Sequence, residues 1–360
     1  MNGKQRIITA LELKQPDCVP LYIHGINEAP IIGIGKRLRE GLPEVQDFRL
    51  MNEQEKFLLM ETLFMIHEHF DIDGITTFEI GHETFVDETH VRDGFGVIYE
   101  LSEYGIPVPV GHPVNTFQEL KSFTPPTPKP EDLGLLQLAV NQFQGRKATF
   151  WLMRGTFVRS WRLVGMNNLL MSMMTKPEFV HAVAQMTLIY NLAQLDLLVA
   201  AGLDVLVIED DIAMTQGPFI SPEQFNTFVN HYNQQLVEKA HNMGLKVVRH
   251  SDGNLWPLID TLLDTGYDGL NPLEPQAGMD LKKVKDYCGD KICLMGNIDC
   301  VDLLPFGTTG EVEQAVIQAI ADGSEGGGMI LCSSNSLHPG VRPENCIAMF
   351  EATRRHGYYG

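Results

Sequence analysis

Short apolar runs alternate with longer amphipathic segments along most of the chain, and this alternation predicts parallel strands joined by crossover helices. Eight of the runs have the length and composition of buried strands. They lie at residues 19–23, 74–80, 147–153, 204–208, 246–249, 268–271, 291–295 and 328–331. Eight strands in βα alternation predict an α/β protein built as a single closed (β/α)8 barrel, the TIM-barrel fold.

The amphipathic segments between these runs carry helix start signals. The clearest is Ser221-Pro222-Glu223-Gln224, where a cap and a proline at the first helical position predict a helix that runs to Gly244. Further helices are predicted at residues 177–201, 255–265, 280–287 and 309–322, with an N-terminal helical extension at 5–14. Residues 87–131 are rich in proline and predict a long irregular excursion between strands two and three. We expect one domain over residues 1–360.

Composition narrows the class of protein. A hydrophobic content of 44% and a charged content of 20% are typical of a globular chain. The formal net charge of -19 argues against nucleic acid as a partner, because such binding depends on neutralising phosphates with Lys and Arg. A partner with a basic docking face is compatible with this charge. The six cysteines show no disulfide framework and indicate reduced thiols.

No apolar stretch of signal-peptide length follows Met1, so we expect a cytoplasmic protein. The most apolar stretch, about 188–208, is interrupted by Asn191, Gln194 and Asp196, which argues against a membrane span. A homodimer is compatible with the sequence.

Polar residues gather where the predicted strands end, and in such a barrel that rim carries the active site. The rim residues are His24, Glu79, His82, Arg154, Glu209, Asp210, Asp211, His250, Asp252, Glu274, Asn297, Asp299, Cys332 and His338. Imidazole, carboxylate and thiolate together are the donors that a catalytic zinc needs. His250, Glu274 and Cys332 would supply one of each from strands five, six and eight, and the combination favours metal binding.

Asp252 points the same way as His250 because strand side chains alternate with a period of two. It is either a fourth ligand or a group that orients the histidine. The alternative interpretation is a buried hydrogen-bonded His250–Asp252 pair with Cys332 as a small core residue.

The remaining rim residues suggest acid/base and substrate-binding roles. Adjacent carboxylates at Glu209 and Asp211 can do acid/base work, although a strand-end acidic run can also be a cap or a solvated loop. Arg154 could hold a substrate anion in a bidentate pair, or form a structural ion pair with the acidic rim. The other candidates for a polar pocket are His24, His82 and His338.

Over essentially its full length the chain resembles the uroporphyrinogen decarboxylase superfamily, whose members are TIM barrels. The residues that carry the resemblance are 6–12, 16–20, 202–204, 220–225, 250–254 and 296–299. Within the superfamily the chain looks more like the corrinoid-dependent methyltransferases than the decarboxylases. The decarboxylase branch holds substrate carboxylates with an arginine-rich segment after the first strand, whereas residues 24–30 here are His-Gly-Ile-Asn-Glu-Ala-Pro.

The methyltransferase resemblance implies a zinc site. Those enzymes and the related cobalamin-independent methionine synthases carry zinc on a His-x-Cys motif with a distant Cys, and the synthases have a Glu between. Here His250 and Cys332 match the outer members, and Glu274 follows position 252 by 22 residues, a spacing similar to that of the synthase glutamate. Asp252 departs from the motif, where Cys is usual. This harder site is similar to that of O-demethylase components, which take a methyl group from an aromatic methyl ether.

The resemblance therefore implies a zinc-dependent methyltransferase that moves a methyl group from a small donor, a methoxylated aromatic, to the Co(I) of a separate corrinoid protein. His250, Glu274, Cys332 and Asp252 would hold zinc. Asp211, His338 or His24 would protonate the leaving oxygen, and Arg154, Asn297, His82 and Glu209 would bind substrate. The alternatives are methyl transfer from a methylcorrinoid to a thiol, decarboxylation of a porphyrinogen without metal, and non-catalytic binding of a corrinoid or small molecule.

Overall fold

The computed structural model describes residues 1–79, 81, 83–101 and 107–359. The strands in these ranges are β1 Gly74–Phe78, β2 Thr84–Phe85, β3 His90–Arg92, β4 Ile98–Glu100, β5 Val108–Gly111, β6 Ala148–Arg154, β7 Val205–Glu209, β8 Ala213–Met214, β9 Gly217–Pro218, β10 Lys246–His250, β11 Gly269–Asn271, β12 Cys293–Ile298 and β13 Met329–Ser333. Seven of them form one sheet in the order β1-β6-β7-β10-β11-β12-β13. The pairs β7–β10, β11–β12 and β12–β13 are parallel.

Helices separate the strands of this sheet along the chain. The α-helices are α1 Gly3–Leu11, α2 Glu28–Gly35, α3 Glu53–His69, α4 Phe117–Ser122, α5 Gly134–Phe143, α6 Thr156–Val164, α7 Met166–Thr175, α8 Pro177–Ala200, α9 Pro222–Phe225, α10 His231–Asn242, α11 Ile259–Thr265, α12 Leu281–Cys288, α13 Leu303–Phe306, α14 Thr309–Gly323 and α15 Pro343–His356. A π-helical segment, Asn226–Asn230, joins α9 to α10, and short 3-10 helices lie at Phe48–Leu50, Pro130–Leu133, Trp256–Leu258 and Pro275–Ala277. The predicted α/β class with parallel strands and crossover helices is confirmed.

The chain divides into two compact units. The first unit comprises Met1–Thr76, Ala139–Phe150 and Asp268–Gly360. The second unit comprises Thr77–Leu138 and Trp151–Tyr267.

In the first unit, the segment predicted as strand one forms an isolated parallel bridge, Leu21 to Leu331 of β13. Backbone hydrogen bonds hold this segment on both sides. Tyr22 N donates to Leu331 O at 3.0 Å, and Asp73 N donates to Leu21 O at 2.9 Å. The segment therefore pairs through only a few backbone groups, which is why it is not a regular strand. Closure into an eight-stranded barrel stays a prediction.

In the second unit, residues 87–131 differ from the irregular excursion that their prolines predict. Strands β2, β3, β4 and β5 form an antiparallel sheet in that order, and α4 follows. Thr116 caps α4 through a reciprocal pair of hydrogen bonds with Glu119. Pro109 is compatible with this sheet because it lies on β5, an edge strand, where proline is tolerated.

Helix α8 is long and apolar enough to meet the length and composition criteria for a membrane span, and 50% of its most apolar window is buried inside the protein. Its polar residues are also engaged within the second unit. Asn191 Nδ2 donates to Arg154 O at 3.0 Å, and Gln194 Nε2 donates to Glu79 Oε2 at 3.1 Å. These contacts are typical of a helix packed in a protein core.

Candidate metal and substrate site

In the second unit, β7 and β10 bring their last residues side by side. His250, at the end of β10, is in register with Glu209, at the end of β7. Asp210 N then donates to His250 O at 3.0 Å, which extends the pairing by one residue. Because strand side chains alternate, Glu209 and Asp211 face one side and Asp210 faces the other. The side chain of Asp211 is 42% exposed, whereas that of Asp210 is fully buried.

Three side chains converge at these strand ends: Asp211, His250 and Asp252. One potential ligand atom from each lies within 4.8 Å of the other two. His250 Nε2 is 3.9 Å from Asp211 Oδ1 and 3.8 Å from Asp252 Oδ1. The backbone N of Asp252 donates to Asp211 Oδ1 at 3.2 Å, which holds the two carboxylates on the same side. The imidazole is buried, and both carboxylates are partly exposed.

This donor set fits a divalent metal ion. It offers one imidazole nitrogen and two carboxylate oxygens, all of which zinc accepts. Ligand atoms about 2.1 Å from a tetrahedral zinc lie about 3.4 Å from one another. The observed 3.8 and 3.9 Å separations are close to that value. A small movement of two partly exposed side chains would complete the geometry and leave a position for substrate.

A buried charge pair lies behind the three converging side chains. Arg249 Nη1 is 3.1 Å from Asp210 Oδ2, and both side chains are fully buried. Asp210 also accepts a hydrogen bond from Asn233 Nδ2 at 2.8 Å and one from the backbone N of Val158 at 2.7 Å. Since Asp210 precedes Asp211 and Arg249 precedes His250, the pair fixes the backbone next to two of the three side chains.

A glycine makes room for this pair. A Cβ at Gly155 would lie 2.2 Å from Asp210 Cγ, so only glycine fits at the turn between β6 and α6. The sequence analysis did not find this network. The sequence feature that indicates this network is the alternation of side chains along a strand, which turns Asp210 and Arg249 away from the rim.

The other predicted residues of the second unit have different partners. Arg154 Nη1 is 3.3 Å from Glu209 Oε1, so the predicted ion pair with the acidic rim is present. The Arg154 side chain remains 38% exposed, which leaves part of the guanidinium available to a ligand. Glu79 accepts hydrogen bonds from Tyr190 Oη and Gln194 Nε2. His82 lies outside the described residues.

Five predicted site residues lie in the first unit. Cys332 is buried, its thiol accepts a hydrogen bond from Asn271 Nδ2 at 3.2 Å, and burial raises its pKa. His338 Nε2 lies 2.8 Å from Cys300 O. His24 is buried, and Glu274 and Asn297 are half-buried. These placements do not test the predicted roles, which stay predictions.

Comparison with known proteins identifies the family. The family model described as uroporphyrinogen decarboxylase (URO-D) matches residues 52–356. The chain belongs to the uroporphyrinogen decarboxylase family. Curated relatives include the uroporphyrinogen decarboxylase of Colwellia psychrerythraea, 25% identical over 51% of this chain and 50% of the relative. Another is that of Geobacter sulfurreducens, 24% identical over 69% of this chain and 74% of the relative. The chain spans about half the length of the first curated relatives that it matches.

Solved structures show the same fold. A methyltransferase from Methanosarcina mazei superposes with a TM-score of 0.77 at 19% identity, and the match covers 99% of each chain. A B12-independent methionine synthase from Shewanella superposes with a TM-score of 0.55 at 13% identity, covering 94% of this chain and 98% of the synthase. At these identities the likeness concerns the fold. The predicted superfamily is confirmed, and the chain belongs to an enzyme family.

Proposed function

We propose that this protein is a zinc-dependent methyltransferase that moves a methyl group from a small methoxylated aromatic donor to the Co(I) of a separate corrinoid protein. The observation that carries the proposal is the convergence of Asp211, His250 and Asp252 at two adjacent strand ends. Family membership and the fold shared with the methyltransferase from Methanosarcina mazei support it.

The residues present suit the bond that must break. An aryl methyl ether is inert because phenolate is a poor leaving group, and bound zinc would supply the Lewis acid that stabilises the developing negative charge. His250, Asp211 and Asp252 would hold the metal. Asp211 is then a ligand, a role that replaces the proton donation that the sequence suggested for it. His24 and His338 remain the predicted proton donors.

Metal analysis of the purified protein tests the proposal first. We expect about one zinc per chain in the wild type and loss of zinc from His250→Ala. His241→Ala, which removes an exposed imidazole from α10, is the matched control and should retain zinc. Transfer of methyl groups from anisole or guaiacol to Co(I) cobalamin, followed by the loss of Co(I) absorbance, should fall with the zinc content.

Two outcomes would contradict the proposal. One is full methyl transfer by a protein freed of metal. The other is metal-free decarboxylation of uroporphyrinogen without any methyl transfer, which would assign the chain the activity that its curated relatives are named for.

Cys332 and Glu274, the other two ligands that the sequence predicts, need a separate test. Cys332→Ala should lower the affinity for zinc, and Cys346→Ala, which also removes a buried thiol, should not. Equal zinc affinity in both variants would remove Cys332 from the ligand set, and the proposal would then stand on the three residues of the second unit. The same measurement on Glu274→Gln tests the glutamate.

A further inference from the structure

Two arginines lie near the end of β6, and among the described residues only one of them forms an ion pair with a carboxylate. Arg154 ends β6, and Arg162 lies in α6, the helix that follows. Glu209 pairs with Arg154 at 3.3 Å. In the part of the chain that the structure describes, no carboxylate forms an ion pair with Arg162, and its buried Nε has no hydrogen-bond partner. Among the described residues of this corner, Arg162 is therefore the arginine without a carboxylate in ion-pair contact.

The neighbouring Arg159 in the same helix has a carboxylate partner, although its Nε, like that of Arg162, has no hydrogen-bond partner among the described residues. Arg159 Nη2 is 3.8 Å from Glu79 Oε2, and its guanidinium carbon lies 4.3 Å from the ring centre of Phe95 and 4.7 Å from that of Tyr190. A charge partner and two aromatic rings thus surround Arg159. It needs no ligand to explain its position.

Arg162 has aromatic neighbours, but within the described ranges no carboxylate is in ion-pair contact with it. Its guanidinium carbon lies 5.8 Å from the ring centre of Tyr99 and 5.5 Å from that of Trp161. The nearby carboxylate of Asp93 accepts hydrogen bonds from the Tyr99 hydroxyl and from the backbone N of Phe95 and Val97. Asp93 is therefore occupied by the antiparallel sheet. Burial and the positive charge of Arg154 lower the pKa of Arg162, whereas Tyr99 and Glu209 act in the opposite direction.

Arg154 is linked to the candidate metal site through Glu209, which lies 3.3 Å from Arg154 and is in register with His250. Burial opposes the charge of Arg154, but Glu209 and, more weakly, Tyr99 and Asp211 raise its pKa. Arg154 therefore lies within electrostatic range of Asp211, one of the three converging side chains. A ligand held by Arg154 could present another of its groups to the metal.

We propose that Arg154 and Arg162 bind a carboxylate of the methyl donor, which makes the donor a methoxylated aromatic acid. Guanidinium groups bind carboxylates with two parallel hydrogen bonds. The inference rests on the proposed function for the identity of the ligand. It also offers a location for substrate anions in a chain whose residues 24–30 contain no arginine.

Ligand binding without corrinoid and without turnover tests this site. Calorimetric titration with 3-methoxybenzoate should show binding to the wild type, and anisole, which lacks the carboxylate, should bind more weakly. Arg162→Gln and Arg154→Gln should each weaken 3-methoxybenzoate about 10-fold to 100-fold, the range expected for losing a hydrogen bond to a charged group. Arg162→Lys keeps the positive charge but loses the two-pronged guanidinium group, so its affinity for 3-methoxybenzoate should lie between those of the wild type and Arg162→Gln.

Arg355→Gln is the matched control, because Arg355 forms an ion pair with Glu313 in the first unit and is 58% exposed. It should bind both probes as the wild type does. Thermal unfolding of each variant checks the fold. If Arg162→Gln does not fold, Arg154→Gln carries the test, since its side chain is partly exposed.

Three results would overturn the inference: no binding of 3-methoxybenzoate to the wild type, equal affinity for anisole, or unchanged affinity in both glutamine variants. These results are independent of the methyl-transfer assay. Zinc-dependent methyl transfer from anisole together with unchanged 3-methoxybenzoate binding in the variants would leave the proposed function standing and remove the arginine site. Arginine-dependent binding of 3-methoxybenzoate without any methyl transfer would leave the arginine site standing and remove the proposed function.

Discussion

Two buried histidines, one in each unit, have opposite surroundings. His67 lies in α3 of the first unit, and its Nδ1 is 2.8 Å from Leu63 O, one turn back in the same helix. Burial lowers its pKa to about 4. His250 of the second unit is equally buried but has two carboxylates within 4 Å. Burial alone therefore produces a neutral core imidazole, and the strand-end carboxylates make His250 a candidate ligand.

The largest effect is expected from the pair that holds the backbone beside His250. Arg249→Met should destabilise the protein by about 3 to 5 kcal/mol, because it leaves the Asp210 carboxylate buried without its countercharge. Urea unfolding of the metal-free protein measures this loss. The surface variant Arg355→Met is the control and should cost at most about 1 kcal/mol, as exposed ion pairs do.

The double variant Asp210→Asn with Arg249→Met sharpens the test, because asparagine removes the charge and keeps an acceptor oxygen for the buried donors around position 210. It removes both charges, so it should be less destabilised than Arg249→Met alone. A double variant that is as unstable as the single one, or more so, would show that the two groups do not act as a charge pair.

The second effect concerns His67 and the pH dependence of stability. Folded His67 stays neutral until the pH falls to about 4, whereas the imidazole of the unfolded chain takes up a proton near pH 6.5. The free energy of unfolding should therefore fall by about 3 kcal/mol as the pH is lowered from about 6.5 to about 4, and level off below.

Unfolding of His67→Gln over this pH range checks the expectation. The variant should lose that part of the decline, and His241→Gln, with an exposed imidazole, should keep it. An unchanged decline in His67→Gln would mean that other groups cause the loss of stability and that the comparison of the two histidines fails at His67.

The sequence predicted the strands that carry His250 more accurately than it predicted the region around Arg162. Strands β7 and β10 agree with the predicted runs to within one residue at each end, because their buried apolar residues, 205–208 and 247–248, are consecutive in the sequence. The antiparallel sheet of β2 to β5 gave no such run. Its strands are two to four residues long, and β5 alternates exposed and half-buried positions around Pro109.

The candidate site was predictable in part for a similar reason. Strand alternation, continued two residues past the end of β10, places Asp252 on the same side as His250, and that inference needs no knowledge of neighbours. The contact with Asp211 depends on the register of β7 against β10, which pairs Glu209 with His250. Because register is set by packing along whole strands, the sequence could propose Asp211 as an acid but could not place it beside the imidazole.

The smallest expected effect is on zinc affinity, and it tests separately the two carboxylates beside His250. Asp252 is nearer His250 and less exposed, and Asp211 accepts the backbone N of Asp252. Asp211→Asn and Asp252→Asn remove one negative charge each with little change in shape, so each should weaken zinc about 10-fold, which corresponds to about 1.4 kcal/mol. Competition with a chelator measures the affinity, and Asp260→Asn on α11 is the control. If one variant binds zinc as tightly as the wild type does, that carboxylate only orients the imidazole. If both variants do, the carboxylates beside His250 are not zinc ligands, and they distinguish His250 from His67 only as neighbours.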